Sequence, residues 1–389
     1  MPNSIVITAA RRTAIGAFQG QFAPVSSPEL GAAAIRAALA DSGIGGDDVS
    51  EVLMGCVLPA GTGQAPARQA AIAADLPLSV GATTLNKVCG SGMKAVMLGH
   101  DAICAGSAEI VAAGGMESMT NAPYLVKRGL RMGHDKLIDH MFFDGLQNPY
   151  DGEMMGGFGE KCAAKYDFTR EHQDDFSRAS VERANKATED GSFANEITPV
   201  TVKSRRGDVE IATDEEPGRI NIDKIPDLRP AFAKDGTITA ASSSKISDGA
   251  AALLLMSADN AAQRGVQPLA RIVAHATHSQ EPEWFTTAPV GALKKVLERA
   301  GWSADEVDLY EINEAFATVA MAAMHEHGLP HEKVNIRGGA CALGHPIGCS
   351  GARILVTLIH ALKATGGRRG VASLCIGGGE ATALAVELV

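Results

Sequence analysis

Hydrophobic and polar positions along this chain follow one pattern that occurs twice. Residues 33–56, "AAIRAALADSGIGGDDVSEVLMGC", place apolar residues at helical spacing up to a glycine; a short acidic loop and an unbroken apolar run follow. That predicts an amphipathic helix, a turn and a buried strand. Residues 291–314, "GALKKVLERAGWSADEVDLYEINE", repeat it at constant offset, with Leu39 matching Leu297, Gly43 matching Gly301 and Val49 matching Val307. Ser27-Pro28 supplies the first helix with an expected N-cap and a proline at its first position.

One further residue of offset lays "NKVCGSG" (86–92) on "HPIGCSG" (345–351). Each glycine-rich turn runs into an apolar helix, over 93–104 and 352–363. Each helix leads to a strand and a glycine pair, "EIVAAGGMES" (109–118) and "GVASLCIGGGEAT" (370–382). Helices alternating with short Val/Ile-rich strands predict an α/β architecture. Its two halves would arise by duplication and turn their equivalent loops toward a shared cleft. Between them, roughly 119–246 is richer in charge, Met and Pro and holds one clear helix, 170–190. It reads as an insertion over the core, where substrate contacts commonly lie. The expected division is 1–118 with 247–268 as the N-terminal half, 119–246 as the inserted loop domain, and 269–389 as the C-terminal half.

With 389 residues the chain exceeds one ordinary hydrophobic core, which agrees with two packed units. A composition 46% apolar and 21% charged is globular. A net charge of −10 with 4% aromatics argues against nucleic acid, which needs basic surface and stacking faces. Seven cysteines, an odd number without a C-x-x-C, suggest reduced thiols rather than a disulfide framework or zinc ribbon. The opening "MPNSIVITAARRTA" has no apolar signal core, and no run reaches the ~18 apolar residues of a membrane span, so a soluble, cytoplasmic protein is expected.

Candidate chemistry sits in the duplicated turns. Cys89 precedes "GSGMKAV", at the expected start of a helix, where the dipole and backbone N–H groups would lower its pKa toward a thiolate nucleophile. His345, between glycines and before a proline in "GGACALGHPIGCSG", falls on the equivalent turn and could serve as its base. Cys375 ends a buried strand before three glycines whose N–H groups could form an oxyanion site. Asn313, in "LYEINEAFATVA", lies between strand and helix, where it could cap the helix or orient water or substrate. Cys341 and Cys349 are expected to pack beside the His345 turn, and Cys56, Cys104 and Cys162 in the core. "HEHGLPH" (325–331) fits a solvated helix end better than a metal site, and His275 and His278 show no partner.

Together "NKVCGSG", "NEAFA", "GGACALGHPIG" and "CIGGG", with "RTAIGAF" and "DGAAALLLM", resemble the thiolases over essentially the whole chain, and bacterial acetyl-CoA acetyltransferases most. The resemblance implies a duplicated βαβαβαββ fold in five layers, α-β-α-β-α, with an inserted loop domain. It implies the reversible condensation of two acetyl-CoA to acetoacetyl-CoA and CoA, or, as the alternative, degradative thiolysis of 3-ketoacyl-CoA of broader chain length. Cys89 would carry the acyl group, His345 would activate it, and Cys375 would move the α-proton. Asn313 with a water, and His345, would hold the enolate oxygen; the N–H groups of Cys89 and Gly377 would hold the acyl-enzyme carbonyl. Ser244 would touch the pantetheine, with Leu146, Met155, Arg219, Ala315 and Phe316 nearby, and Arg219 could serve the phosphates. The expected partners are acyl-CoA, coenzyme A and copies of the same chain. No cofactor beyond coenzyme A as substrate and no metal is implied. "RGLRMGHDKLIDHMFFDGL" resembles the loop through which some members pair dimers into tetramers.

Two positions depart from the family. Met154 stands where several biosynthetic members carry histidine, which bears on short-chain preference. Arg337 replaces a small or neutral residue before "GGA" and suggests a surface or subunit contact. A decarboxylating ketoacyl synthase would pair its cysteine with two histidines, whereas Asn313 and Cys375 occupy the corresponding motifs here. A catalytically dead scaffold would not need all four motif residues, and a thiol redox protein would be expected to carry C-x-x-C.

Overall fold

The computed structural model describes residues 4–129, 131–205 and 207–389. The N-terminal half comprises β1 (Ile5–Thr13), α1 (Ser27–Ser42), β2 (Glu51–Gly55), α2 (Pro66–Ala73), β3 (Gly81–Leu85), α3 (Ser91–Cys104) and β4 (Ile110–Ser118). The insertion follows, with α4 (Met155–Lys165) and α5 (Arg170–Glu189), and β5 (Ser247–Ser257) returns to the first half. The C-terminal half runs β6 (Ala270–Ser279), α6 (Ala288–Ala300), β7 (Leu309–Ile312), α7 (Ala317–His327), α8 (Ser350–Thr365), β8 (Arg369–Ile376) and β9 (Glu380–Leu388).

The halves pair their strands alike. The first sheet has the order β3-β2-β4-β5-β1 and the second β7-β8-β9-β6. Val334 bridges Tyr310 in parallel at the edge that β3 occupies in the first sheet. The sheets meet where Val6 and Ile7 of β1 pair with Arg271 and Ala270 of β6. Ser118 pairs with Asp248, so the insertion leaves and re-enters the sheet at adjacent positions.

Burial of both faces of each sheet explains why these strands read as continuous apolar runs. In β2, Val52 and Met54 face α1 and α2 with Leu30, Ile35 and Ala70, while Leu53 points the other way. The middle layer packs Met93, Val96 and Met97 of α3 with Ile354, Leu355 and Leu358 of α8, between Leu253 of β5 and Leu374 of β8. Leu293 and Val296 of α6 and Ala320 of α7 cover the outer face of the second sheet against Tyr310 and Ile312. Alternation at a period of two thus assembles five layers, helix–sheet–helix–sheet–helix, as expected.

The middle layer positions the site. A β-carbon on Gly92 would lie 2.8 Å from Ala352 N, and one on Gly351 2.4 Å from Met93 N. Only glycines allow the first turns of α3 and α8 to touch backbone to backbone. Those two residues match in the duplicated pattern, so the repeat itself brings the turn carrying Cys89 onto the turn carrying His345.

Several local expectations are corrected. The cap of α1 is Ser26, which forms a capping box with Glu29; Ser27 and Pro28 are the first helical residues. Asn313 caps nothing: β7 ends at Ile312 and α7 starts at Ala317 behind Phe316. Cys104 is exposed rather than in the core. Arg337 does not stand out on the surface of the chain. It is buried and donates to Glu196 at 3.1 Å and to the His360 carbonyl at 3.2 Å. Glu196 also accepts from Arg12 at 2.6 Å, and Arg12 pairs with Asp214 at 2.8 Å. The buried cluster ties the insertion to β1, and Arg337 completes this internal ion network.

Candidate active site

Cys89 sits in a strained turn before α3. Val88, β-branched, holds φ at +46°, a backbone conformation that costs on the order of 1–3 kcal/mol. Local hydrogen bonds maintain it: Val88 N–H donates to Asn86 Oδ1 (2.8 Å), Lys87 N–H to Ser91 Oγ (2.8 Å), and Ser91 Oγ–H to the Val88 carbonyl (2.6 Å). Lys87 Nζ is tied to Glu380 at 2.6 Å. The backbone N–H groups of Cys89 and of Gly377, in the turn after β8, both act on the Cys89 sulfur.

Burial pushes the Cys89 thiol up to about 11 despite those two donors. The expectation of a lowered, thiolate-like cysteine is therefore reversed, because desolvation exceeds what the helix start and two N–H groups return. Cys375, at the end of β8, is fully buried where Cys89 is only partly so, and burial followed by the proximity of Cys89 raises its thiol well above the ordinary range. Both sulfurs thus rest as neutral thiols, near enough to interact electrostatically.

His345 enters from the opposite turn. Gly344 before it has φ +107°, which a side chain would not tolerate beside Ser247 Oγ. The His345 N–H is held by the Lys245 carbonyl at 2.9 Å. Its Nδ1 lies 2.6 Å from Ser350 Oγ, and that hydroxyl donates to the Pro346 carbonyl at 3.0 Å. With its single proton so directed, the serine accepts from Nδ1–H, leaving Nε2 bare toward the cleft. Asn313 Nδ2 is 3.4 Å from Nε2, and Asn313 Oδ1 is buried with no partner among the described residues. Burial, with a smaller push from Arg353, holds the imidazole down to about 3 and therefore neutral. An acceptor nitrogen with an orphaned amide oxygen, and two thiols with two N–H donors, flank the contact of Gly92 with Gly351. This set can take a proton from a thiol, move one at carbon and hold an oxyanion.

Two adjoining cavities lead there. One, about 240 Å³, is lined by Leu146, Met154, Met155, Ser244, Phe316 and His345, among others. The second, about 530 Å³, is lined by Val88, Gly377 and the 143–150 segment, and shares Met155. Of the residues expected near coenzyme A, Leu146, Met155, Ser244 and Phe316 therefore face the first cavity. Ala315 is buried behind it and contributes its carbonyl to Ser244 N–H at 3.0 Å. Arg219 lies outside both cavities, where a short helical turn after Pro217 directs its guanidinium to Glu215 at 3.1 Å.

Sequence reasoning missed three buried groups. Ser350 fixes the tautomer of His345. Glu117 accepts from the N–H groups of Val57, Leu58 and Gly348, and burial raises its carboxyl to about 7. Lys245 lines the smaller cavity with its ammonium turned back to the Ala240 and Ser243 carbonyls, and burial lowers its pKa. The serine carried a signal: it repeats Ser91, the residue that stabilises the Cys89 turn.

The fold and this constellation define a condensing enzyme of the thiolase class. The family described as "Thiolase, N-terminal domain" matches residues 5–259 and "Thiolase, C-terminal domain" matches 266–388. The chain belongs to the thiolase family. It is 49% identical to an acetyl-CoA acetyltransferase of Pseudomonas aeruginosa, covering 98% of each chain. It is 50% identical to one of Chromobacterium violaceum, covering 98% of this chain and 99% of the other. Among solved structures, the Bacillus anthracis acetyl-CoA acetyltransferase superposes with TM-score 0.97 at 41% identity, covering 100% of this chain and 99% of the other. A thiolase from Ascaris suum, solved in complex with coenzyme A, does so with TM-score 0.95 at 41% identity, covering 99% and 100%.

Proposed function

We propose that this chain is an acetyl-CoA C-acetyltransferase that condenses two acetyl-CoA to acetoacetyl-CoA and CoA, reversibly, through an acetyl-Cys89 intermediate. Full-length likeness to acetyl-CoA acetyltransferases supports the reaction. Three features support the residue roles: the Gly377 N–H acts on the Cys89 sulfur, Cys89 acts electrostatically on Cys375, and the turns carrying Cys89 and His345 touch at Gly92 and Gly351.

In the first step His345 Nε2 takes the Cys89 proton as the sulfur attacks the thioester carbonyl of the first acetyl-CoA. The tetrahedral oxyanion lies against the N–H groups of Cys89 and Gly377. CoA leaves as the thiol with the proton of Cys375, so acetyl-Cys89, a protonated His345 and a Cys375 thiolate remain. A second acetyl-CoA then loses an α-proton to the Cys375 thiolate, and its enolate oxygen accepts from the protonated His345 Nε2 and from a water on Asn313. The enolate carbon attacks the acetyl-Cys89 carbonyl, Cys89 leaves and takes its proton back from His345, and acetoacetyl-CoA forms. An oxyanion donor in such a site contributes about 3 kcal/mol to lowering the barrier. Exchange of one thioester for another thiol is nearly isoenergetic, so the same groups run thiolysis.

Leu146, Met155, Ser244 and Phe316, which line the smaller cavity, would pack against the pantetheine. Arg219, outside the cavity, would meet only the phosphate end of the substrate. Exposed Tyr124, Val126, Met132 and Leu137 in the insertion support assembly of copies through this loop into a tetramer. Among the described residues no helix is long and apolar enough to cross a membrane, which is compatible with a cytoplasmic enzyme. Comparing thiolysis of acetoacetyl-CoA with that of a longer 3-ketoacyl-CoA tests the acyl assignment. Higher kcat/KM for acetoacetyl-CoA is expected; much faster turnover of the longer substrate would make the protein a degradative 3-ketoacyl-CoA thiolase.

A further inference from the structure

Far from the cleft, the last turns of α3 meet β6 across the seam between the halves. His100 and Asp101 of α3 converge there on His275 of β6. His275 Nε2 lies 2.9 Å from Asp101 Oδ1 and 3.3 Å from His100 Nδ1, and these last two are 3.0 Å apart. Cys104, one helical turn beyond His100, holds its free sulfur 3.8 Å from His100 Nε2 and 4.0 Å from Nδ1, outside the three-donor cluster, so its side chain must rotate to ligate. We propose that His100, Asp101 and His275 bind a divalent transition-metal ion of the zinc or cobalt class, with Cys104 as the fourth ligand.

The spacing carries the proposal. Tetrahedral bonds of about 2.0–2.1 Å to nitrogen and oxygen put ligand atoms roughly 3.3–3.4 Å apart, and a thiolate ligand slightly farther. The three donors lie at or just inside that separation, so small outward movements open the site. The mixture of imidazole, carboxylate and thiolate suits zinc better than magnesium or calcium, which prefer oxygen. Side-chain exposures of 22%, 50% and 16% for His100, Asp101 and His275 let an ion enter from solvent. The surrounding charge is mixed: Lys94 opposes a cation, Asp101 offsets it, and Arg299 is occupied by the His275 carbonyl at 2.6 Å. Ligation displaces the Cys104 proton to solvent, so affinity should rise with pH.

A bound ion would join the C-terminal end of α3 to the second half of the molecule. Cys89 lies before the other end of this 14-residue helix, roughly 20 Å away, so catalysis should not change. The test uses full-length, tag-free protein stripped with a chelator and titrated with cobalt(II). One equivalent per chain is expected at micromolar concentrations, with tetrahedral visible bands, a near-ultraviolet thiolate-to-cobalt band and a raised thermal midpoint. His275→Ala should weaken binding at least about a hundredfold while thiolysis persists. Cys104→Ser should remove only the near-ultraviolet band. Absence of stoichiometric binding, or binding unchanged in His275→Ala, would reduce the cluster to a hydrogen-bonded His–Asp–His chain and overturn the proposal. A near-ultraviolet band that survives Cys104→Ser would overturn the four-ligand assignment. Native mass spectrometry of the metal-loaded protein gives the same count should a variant fold poorly.

Discussion

Replacing Ser350 with alanine should slow catalysis without weakening substrate binding. Ser350 is fully buried and is the partner of His345 Nδ1, at 2.6 Å. Alanine leaves a buried imidazole N–H without an acceptor, where bulk water does not reach. An unsatisfied buried donor costs about 1–3 kcal/mol, and the cost grows as the ring gains charge by taking the Cys89 proton. That converts to a fall in kcat of roughly 5- to 150-fold. Ser350 lines neither cavity, so KM for acetoacetyl-CoA and CoA should change less than about twofold. Steady-state thiolysis gives both constants, and circular dichroism with thermal melting verifies the fold. Unchanged kcat in a folded Ser350→Ala protein would refute the tautomer argument. A loss confined to KM would mean that the serine serves binding instead.

Three further outcomes follow from the same geometry. With His345 held at about 3 against an ordinary 6.5, the unfolded chain binds the extra proton between those values, so this group's contribution to stability falls as pH drops through that window. The slope approaches about 1.4 kcal/mol per pH unit, and denaturant melts of His345→Asn should show a shallower acid arm. Met154→His places an imidazole in the smaller cavity and should lower KM for acetoacetyl-CoA by a few-fold, about one hydrogen bond's worth, in steady-state assays. Glu196→Gln leaves Arg12 and Arg337 short of charge in the interior and should cost on the order of 3–5 kcal/mol, read as an earlier urea midpoint; a change under 1 kcal/mol would show that the buried network is not needed for stability.

Much of this molecule was legible from its pattern, for a physical reason. Duplicated turns need glycine wherever helices touch backbone to backbone, and Gly92 with Gly351 is both the sequence signal and the contact that joins Cys89 to His345. Five layers followed from strands buried on both faces. Other features were not legible because they depend on desolvation or on distant partners. A helix start suggested an acidic thiol at Cys89, yet burial outweighed it. Arg337 looked like a surface residue because Glu196, 141 positions away, gave no local sign of pairing with it. His275 seemed to lack a partner for the same reason: Asp101 is 174 residues earlier. Asn313 sat in a motif typical of caps, but the helix begins four residues later, which leaves its amide free to face the cleft.

The most direct measurement is peptide-resolved mass spectrometry of the intact enzyme mixed with acetyl-CoA and quenched in acid. The account predicts one acetyl group per chain, on the peptide containing Cys89, removed by added CoA and absent in His345→Ala. Acetylation of Cys375 in place of Cys89, or none on a protein that still forms acetoacetyl-CoA, would contradict it.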